Sequence, residues 1–172
     1  MNVIVAYASR LGSTRAIAER IADRLRGEAV SAIASEVGSL ESLALSDALV
    51  IGSAVYEGHW LPEAKAFVRQ VATTSPERPV WLFSSGPVGR TAAAKPADPA
   101  DVPELEQVTH ARGHRSFGGA LDRQTVDGSR LSFPERLIAK HLVPEGDFRD
   151  WSQIDAWADE IARDLLARAP AH

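Results

Sequence analysis

The sequence contains no cysteine among its 172 residues, which excludes disulfides, thiol nucleophiles, Fe–S clusters and zinc–thiolate sites. It also lacks an apolar run near the roughly 20 residues that a membrane span requires. An apolar segment begins at once, leaving no room for a signal peptide, so we expect a cytoplasmic protein. The net charge of −4 gives no basic excess, and we therefore expect no nucleic-acid partner.

The composition is otherwise ordinary for a globular chain, with 45% hydrophobic and 24% charged residues. The length favours one domain over residues 1–172, long enough to bury a sizeable core.

The N-terminus predicts a strand, a polar loop and a helix in succession. Residues 2–7 form an apolar run typical of a strand buried on both faces. A loop rich in Ser, Gly and Thr follows, and Ile17, Ile21 and Leu25 then share one helix face. Hydroxyls and free N–H groups at a helix N-terminus favour phosphate binding. An ordinary capped turn without a ligand has the same pattern.

Further strands and helices alternate along the chain. We predict strands over 30–34, 47–53, 79–84 and 115–121. We predict helices from Pro62, over 103–109, and after a capping pair of Ser152 and Asp155. Residues 91–102 are predicted to be an exposed loop. This alternation predicts a parallel, doubly wound sheet.

Two more loops follow predicted strands and carry chemistry. In open α/β sheets, ligands bind beyond the carboxyl ends of the strands. In the loop 53–60, aromatic rings such as Trp60 can stack on a planar ligand, although Trp60 can equally pack at the edge of the core. His59 can donate a proton or remain idle in solvent. The loop 84–89 offers hydroxyls and N–H groups that stabilise negative charge.

The sequence Ser-Arg-Leu-Gly-Ser-Thr at residues 9–14 resembles the phosphate loop of flavodoxins. The resemblance implies FMN as cofactor, and a flavodoxin-like α/β three-layer sandwich with a five-stranded parallel sheet in the order 2-1-3-4-5. It also implies that the three loops together form the flavin site. The residues expected to bind the cofactor are Ser9, Arg10, Leu11, Gly12, Ser13, Thr14, Ala54, Val55, Tyr56, Gly58, His59, Trp60, Ser84, Ser85, Gly86 and Gly89.

Three segments resemble the flavodoxin-domain branch that contains menaquinone-dependent protoporphyrinogen oxidases. These are the Tyr-Glu-Gly-His sequence at 56–59, Gly-Ala-Leu at 119–121 and Asp-Trp at 150–151. The resemblance implies an FMN-dependent oxidoreductase with a quinone or porphyrinogen as substrate. His59 is the candidate catalytic residue, because an imidazole can donate a proton. The alternatives are a flavodoxin-type electron carrier between redox proteins and an interaction domain that binds no flavin.

An extra segment of about residues 122–148 precedes the last predicted helix. Within it, five residues predict one face of a short amphipathic helix: Phe133, Leu137, Ile138, His141 and Leu142. Such a helix would cap the flavin side, form a homodimer contact or dock peripherally on a membrane. A phosphoacceptor signalling domain is excluded because the first and third strands end without the acidic residues that it needs.

Overall fold

The computed structural model describes residues 1–28, 30–39, 46–86, 98–126, 133 and 145–167. Its strands are β1 (Asn2–Ala8), β2 (Ser31–Glu36), β3 (Ala48–Tyr56), β4 (His59–Trp60), β5 (Val80–Ser85), β6 (His114–Phe117), β7 (Ala120–Leu121) and β8 (Gly146–Asp147). Its helices are α1 (Ser13–Gly27), α2 (Pro62–Thr74), α3 (Val102–Thr109), α4 (Arg123–Val126) and α5 (Trp151–Ala167), and a 3-10 turn spans Val37–Ser39.

The main sheet runs in the order β2-β1-β3-β5-β6, and each neighbouring pair is parallel. The predicted flavodoxin-like α/β fold and its strand order are therefore confirmed. The numbering shifts because the short β4 folds back antiparallel on the end of β3.

The core has one layer on each face of the sheet, because successive side chains of a strand point to opposite faces. Val3 and Val5 of β1 pack with α1 and α5 in one cluster. Ile4 and Ala6 of the same strand pack with α2 and α3 in the other. The central strands are buried on both sides, which explains their continuous apolar runs.

The last helix begins differently from the prediction. Asp150 caps α5, since its Oδ1 accepts a hydrogen bond from the Gln153 N–H at 3.1 Å. Asp155, predicted to belong to the cap with Ser152, instead accepts two hydrogen bonds from Arg20. The capping pair was therefore wrong, although the apolar face of the helix is buried as predicted.

The last predicted strand ends early. β6 stops at Phe117, and Ala120 and Leu121 pair with β8 in a separate two-stranded sheet. A Cβ at Gly118 would lie 2.0 Å from the carbonyl oxygen of Phe148. Phe148 therefore passes close to Gly118, and β5 itself ends at Ser85, which aligns with Phe117.

Some predictions fall outside the described residues. These are Gly89, most of the predicted loop 91–102 and residues 134–144 of the predicted amphipathic helix. Phe133 is 81% exposed. Among the described helices, none combines the length and the apolarity needed to cross a membrane.

Candidate functional site

The carboxyl ends of β1, β3 and β5 lie side by side. Ala8 aligns with Ser53, and Ser53 aligns with Ser84. The loops after these strands also approach one another, since a Cβ at Gly86 would lie 3.7 Å from the carbonyl oxygen of Val55. The Ser13 and Ser85 hydroxyls are 3.4 Å apart. The structure thus brings together the three predicted loops, as far as they are described.

The first loop ends in a helix N-terminus that no side chain caps. Gly12 precedes α1 with φ of 85°, a left-handed conformation that favours glycine. The first turn of α1 contains no acidic residue. The Ser9 hydroxyl accepts the Gly12 N–H at 3.1 Å and closes the loop. The positive end of the helix dipole therefore has no carboxylate within the first turn of α1 itself, which favours an anion.

Thr14 carries an unsatisfied hydroxyl in the first turn of α1. The residue is fully buried, and among the described residues its Oγ1 has no hydrogen-bond partner. Buried polar groups are nearly always paired, and leaving one unpaired costs about 1–3 kcal/mol. This orphaned hydroxyl therefore points to a hydrogen-bonding ligand at the loop.

Ser13 holds the segment that follows β6 against the first loop. Its hydroxyl accepts the Ala120 N–H at 2.9 Å. A Cβ at Gly119 would lie 3.4 Å from the Cα of Gly86. Residues 118–121 therefore form a fourth wall of the site, which the sequence indicated only through its two adjacent glycines.

The second loop is a two-residue hairpin between β3 and β4. Glu57 has φ of 51° and Gly58 has φ of 80°, as a tight antiparallel turn requires. Tyr56 and His59 are directly opposite each other across the hairpin. The Ala100 N–H donates to the Gly58 carbonyl at 3.0 Å. The turn is thus fastened to the residues just before α3.

Asp101 binds the same hairpin, and sequence reasoning missed it. Its Oδ2 accepts the Trp60 N–H at 2.8 Å and faces His59 Nδ1 at 3.1 Å. Its Oδ1 faces Lys65 Nζ at 3.1 Å. Burial raises the pKa of Asp101, but the hydrogen bonds from Trp60, Lys65 and His59 outweigh it and leave the pKa below its ordinary value. The carboxylate is therefore charged and fixed near neutral pH.

Trp60 does not stack in the site. Its ring is 2% exposed, and its Nε1–H donates to the Ser84 hydroxyl at 2.8 Å. The alternative interpretation, packing at the edge of the core, is the one that the structure shows. The ring anchors the second loop to β5 and is not available to stack on a ligand.

The Ser84 hydroxyl is likewise occupied. It accepts from Trp60 and lies 2.8 Å from His114 Nε2, so Ser84 donates to that nitrogen. The predicted role of this hydroxyl toward a ligand is therefore not met. Burial lowers the pKa of His114, against an opposing effect of Asp98 and a further lowering by Arg115. His114 is thus neutral, consistent with its acceptor role. Because this contact joins β5 to β6, no local sequence pattern shows it.

Tyr56 lies in the site with apolar neighbours. It packs with Leu11 against Leu121 and the fully buried Val126. The Arg10 guanidinium lies 5.6 Å from the centre of the Tyr56 ring, a cation–π distance. Arg10 therefore turns toward the second loop, and apolar side chains from the segment after β6 cover one side of Tyr56.

The remaining predicted residues contribute mainly backbone. Ala54 is buried in the core cluster, against which Val55 also packs. Ser85 is 4% exposed, and Gly86 has φ of 106°. Gly86 N–H donates to the Phe117 carbonyl. Together the loops place the uncapped N-terminus of α1 beside a partly apolar wall and the exposed imidazole of His59.

The comparisons with known proteins agree with this geometry. A sequence profile described as a flavodoxin domain matches residues 4–147. Comparison with curated proteins found no match. Oxidised Flavodoxin 2 from Bacillus cereus superposes with a TM-score of 0.62 at 19% identity, covering 95% of this chain and 99% of that one. A flavodoxin from Streptococcus pneumonia TIGR4 superposes with a TM-score of 0.61 at 15% identity, and the superposition covers 95% of this chain and 99% of that one.

A larger protein has the same fold in part of its chain. Rubredoxin oxygen:oxidoreductase from the anaerobe Desulfovibrio gigas superposes with a TM-score of 0.65 at 16% identity. The superposition covers 99% of this chain but only 37% of that one. At these identities the solved structures establish the fold alone.

Proposed function

Because the chain belongs to the flavodoxin domain family, we propose that it is an oxidoreductase that binds FMN noncovalently at the carboxyl edge of β1, β3 and β5. The observation that carries the proposal is Thr14, whose buried hydroxyl has no partner in the described part of the chain. A phosphate at the uncapped end of α1 would accept that hydrogen bond together with backbone N–H groups of the first turn. The residues present therefore fit the phosphate end of FMN.

The second and third loops would hold the flavin ring. Val55, Tyr56, Gly58, Ser85 and Gly86 are the residues of these loops that we assign to it. Trp60 and Ser84 would support them from behind through their mutual hydrogen bond. Bound FMN supplies electron and hydride exchange, whereas the protein supplies orientation and electrostatics.

His59 is the side chain that we assign to proton exchange. It lies opposite Tyr56 on the hairpin, and its side chain is 56% exposed. The two ring nitrogens of an imidazole can each carry a proton, so this side chain can give or take one in either direction of a redox reaction.

A narrower proposal is oxidation of protoporphyrinogen with a quinone acceptor. It rests on the resemblance of the second loop to the loop of the protoporphyrinogen oxidase branch. The Asp150–Trp151 match does not support it further, because the structure gives both residues a role in the fold. Asp150 caps α5, and the guanidinium carbon of Arg149 lies 4.6 Å from the centre of the Trp151 ring. Under this proposal the porphyrinogen is the electron donor and the quinone is a small hydrophobic acceptor.

The experiment titrates the protein with FMN, reduces one portion of the loaded protein stepwise without oxygen, and mixes another, oxidised portion with protoporphyrinogen and a quinone. We expect saturable quenching of FMN fluorescence and turnover of a substrate. Reduction in two separate one-electron steps without turnover would instead indicate an electron carrier. Absence of FMN binding would contradict the proposal and favour a domain that acts through protein contacts.

A further inference from the structure

We propose that Asp101 is a positioning residue for His59 and that the two form a proton-exchanging dyad at the rim of the candidate site. This inference rests on the proposed function, because it assigns the proton transfer of that redox reaction to a particular ring nitrogen. Asp101 contacts no reacting atom and acts through the imidazole.

The carboxylate fixes which nitrogen of His59 carries the proton. Asp101 Oδ2 lies 3.1 Å from His59 Nδ1, and a carboxylate can only accept, so Nδ1 is the protonated nitrogen of the neutral ring. Nε2 is then the nitrogen that exchanges a proton with a ligand or water. Asp101 is 13% exposed, whereas His59 is 56% exposed. The orienting group is thus shielded and the exchanging group is accessible.

The charges around the dyad support an anionic Asp101. Lys65 Nζ lies 3.1 Å from its other oxygen, and the Trp60 N–H donates to the oxygen that faces His59. Glu57 is the remaining charged residue of the turn itself. With Lys65 and a backbone N–H in place, the carboxylate stays ionised when His59 exchanges a proton.

Contacts outside the dyad also hold the hairpin that carries His59. The Ala100 N–H donates to the Gly58 carbonyl at 3.0 Å, and the Leu61 N–H donates to the buried Ser53 hydroxyl at 3.0 Å. The ring is therefore presented from a fixed backbone beside Tyr56. A general acid needs this kind of fixed placement more than it needs a large change in proton affinity.

The proton count of quinone reduction gives the dyad its role. Conversion of a quinone to a quinol takes up two electrons and two protons. Bound FMN would supply both electrons and one of the protons as a hydride, which leaves one proton for the protein to donate. The second proton comes from Nε2–H of the His59 imidazolium, and bulk water returns it afterwards.

The first test measures imidazole ¹⁵N chemical shifts in the full-length protein at about pH 8, where histidine is neutral. We expect the His59 proton on Nδ1 in the wild type. The matched control Lys65→Met removes the ammonium group that pairs with Asp101 and should leave the His59 proton on Nδ1. Asp101→Asn should lower the Nδ1-protonated fraction. A wild-type proton on Nε2 would overturn the proposal without any variant.

The second test uses the FMN-loaded protein and a soluble naphthoquinone. We expect His59→Gln to lower kcat about 100-fold and Asp101→Asn about 10-fold, with little change in KM. The double variant should be no slower than His59→Gln, because both act on one proton transfer. An unchanged kcat in Asp101→Asn would overturn the dyad.

These outcomes are separable from failure of the proposed function. If the protein does not bind FMN, the proposed function fails, whereas the ¹⁵N measurement still decides whether Asp101 positions His59. If FMN binds and the Nδ1 proton is absent, the dyad alone is contradicted.

Discussion

Gly52 lies inside β3 because the ring of Phe83 occupies the space of a side chain. A Cβ at Gly52 would lie 2.0 Å from Phe83 Cζ, and Phe83 is fully buried against Phe117 and Trp157. We expect Gly52→Ala to lower the free energy of unfolding by about 1–3 kcal/mol through overpacking. Denaturant unfolding measures this change.

The control for that prediction is a second substitution in the same contact. Phe83→Leu removes ring atoms that would clash with the new methyl group. We expect Gly52→Ala to destabilise the Phe83→Leu protein much less than the wild type. Additive effects of the two substitutions would show that the ring contact is not the cause.

His114 makes stability depend on pH. Because burial lowers its pKa from the ordinary value of 6.5, the folded protein binds this proton less readily than the unfolded chain. The stabilisation is fully present above the unfolded pKa and is lost as the pH falls from about 6.5 toward the folded pKa. We expect His114→Gln to lose less stability than the wild type between about pH 7 and pH 5.5. Equal losses in thermal denaturation would contradict the burial effect.

Among the helices, α1 and α5 are joined by two paired charges one helical turn apart. Arg20 binds both carboxylate oxygens of Asp155, at 2.6 Å each. Arg24 does the same with Asp159, at 2.6 and 2.9 Å. The hydrogen bond from Arg20 lowers the pKa of Asp155, and the one from Arg24 lowers that of Asp159. The two helices are thereby held in one register on the same face of the sheet.

We expect Arg20→Gln together with Arg24→Gln to lower the melting temperature, and the difference from the wild type to shrink in 1 M salt, where the Debye length is about 3 Å. Arg15→Gln is the matched control, because Arg15 forms its ion pair in the described part of the chain within α1, with Glu19. A difference that is independent of salt would mean that packing, and not charge, is lost.

At the scale of the whole molecule, the sequence predicts the features that depend on neighbouring residues. The apolar run of β1 and the face of Ile17, Ile21 and Leu25 are local patterns, and both are confirmed. The strand order also follows the predicted family pattern.

The features that were missed depend on contacts between distant residues. Asp101 reaches His59 across 42 positions, and Ser84 reaches His114 across 30. Trp60 was ambiguous in the sequence because an aromatic ring before a helix can face a ligand or the core. The hydrogen bond from Trp60 to Ser84 on β5 decides between these two positions of the ring. The local periodicity of the sequence does not predict that contact. Likewise, β6 ends at Phe117, which aligns with the last residue of β5, and Phe148 from a distant part of the sequence passes beside Gly118.

The proposed flavin site depends most on the buried hydroxyl of Thr14, which we expect to donate a hydrogen bond to a phosphate. Thr14→Val keeps the shape of the side chain and removes the hydroxyl. Because this group has no partner among the described residues, we expect the variant without ligand to be as stable as the wild type or about 1 kcal/mol more stable.

The most direct measurement compares the dissociation constants of FMN and riboflavin for the wild type and Thr14→Val. Riboflavin has the same ring without the phosphate, so it is the matched control. We predict that Thr14→Val weakens FMN binding about 10- to 100-fold, as expected for a lost hydrogen bond to a charged group, and leaves riboflavin binding unchanged. Equal affinities of the two proteins for FMN would contradict the phosphate site and with it the central claim.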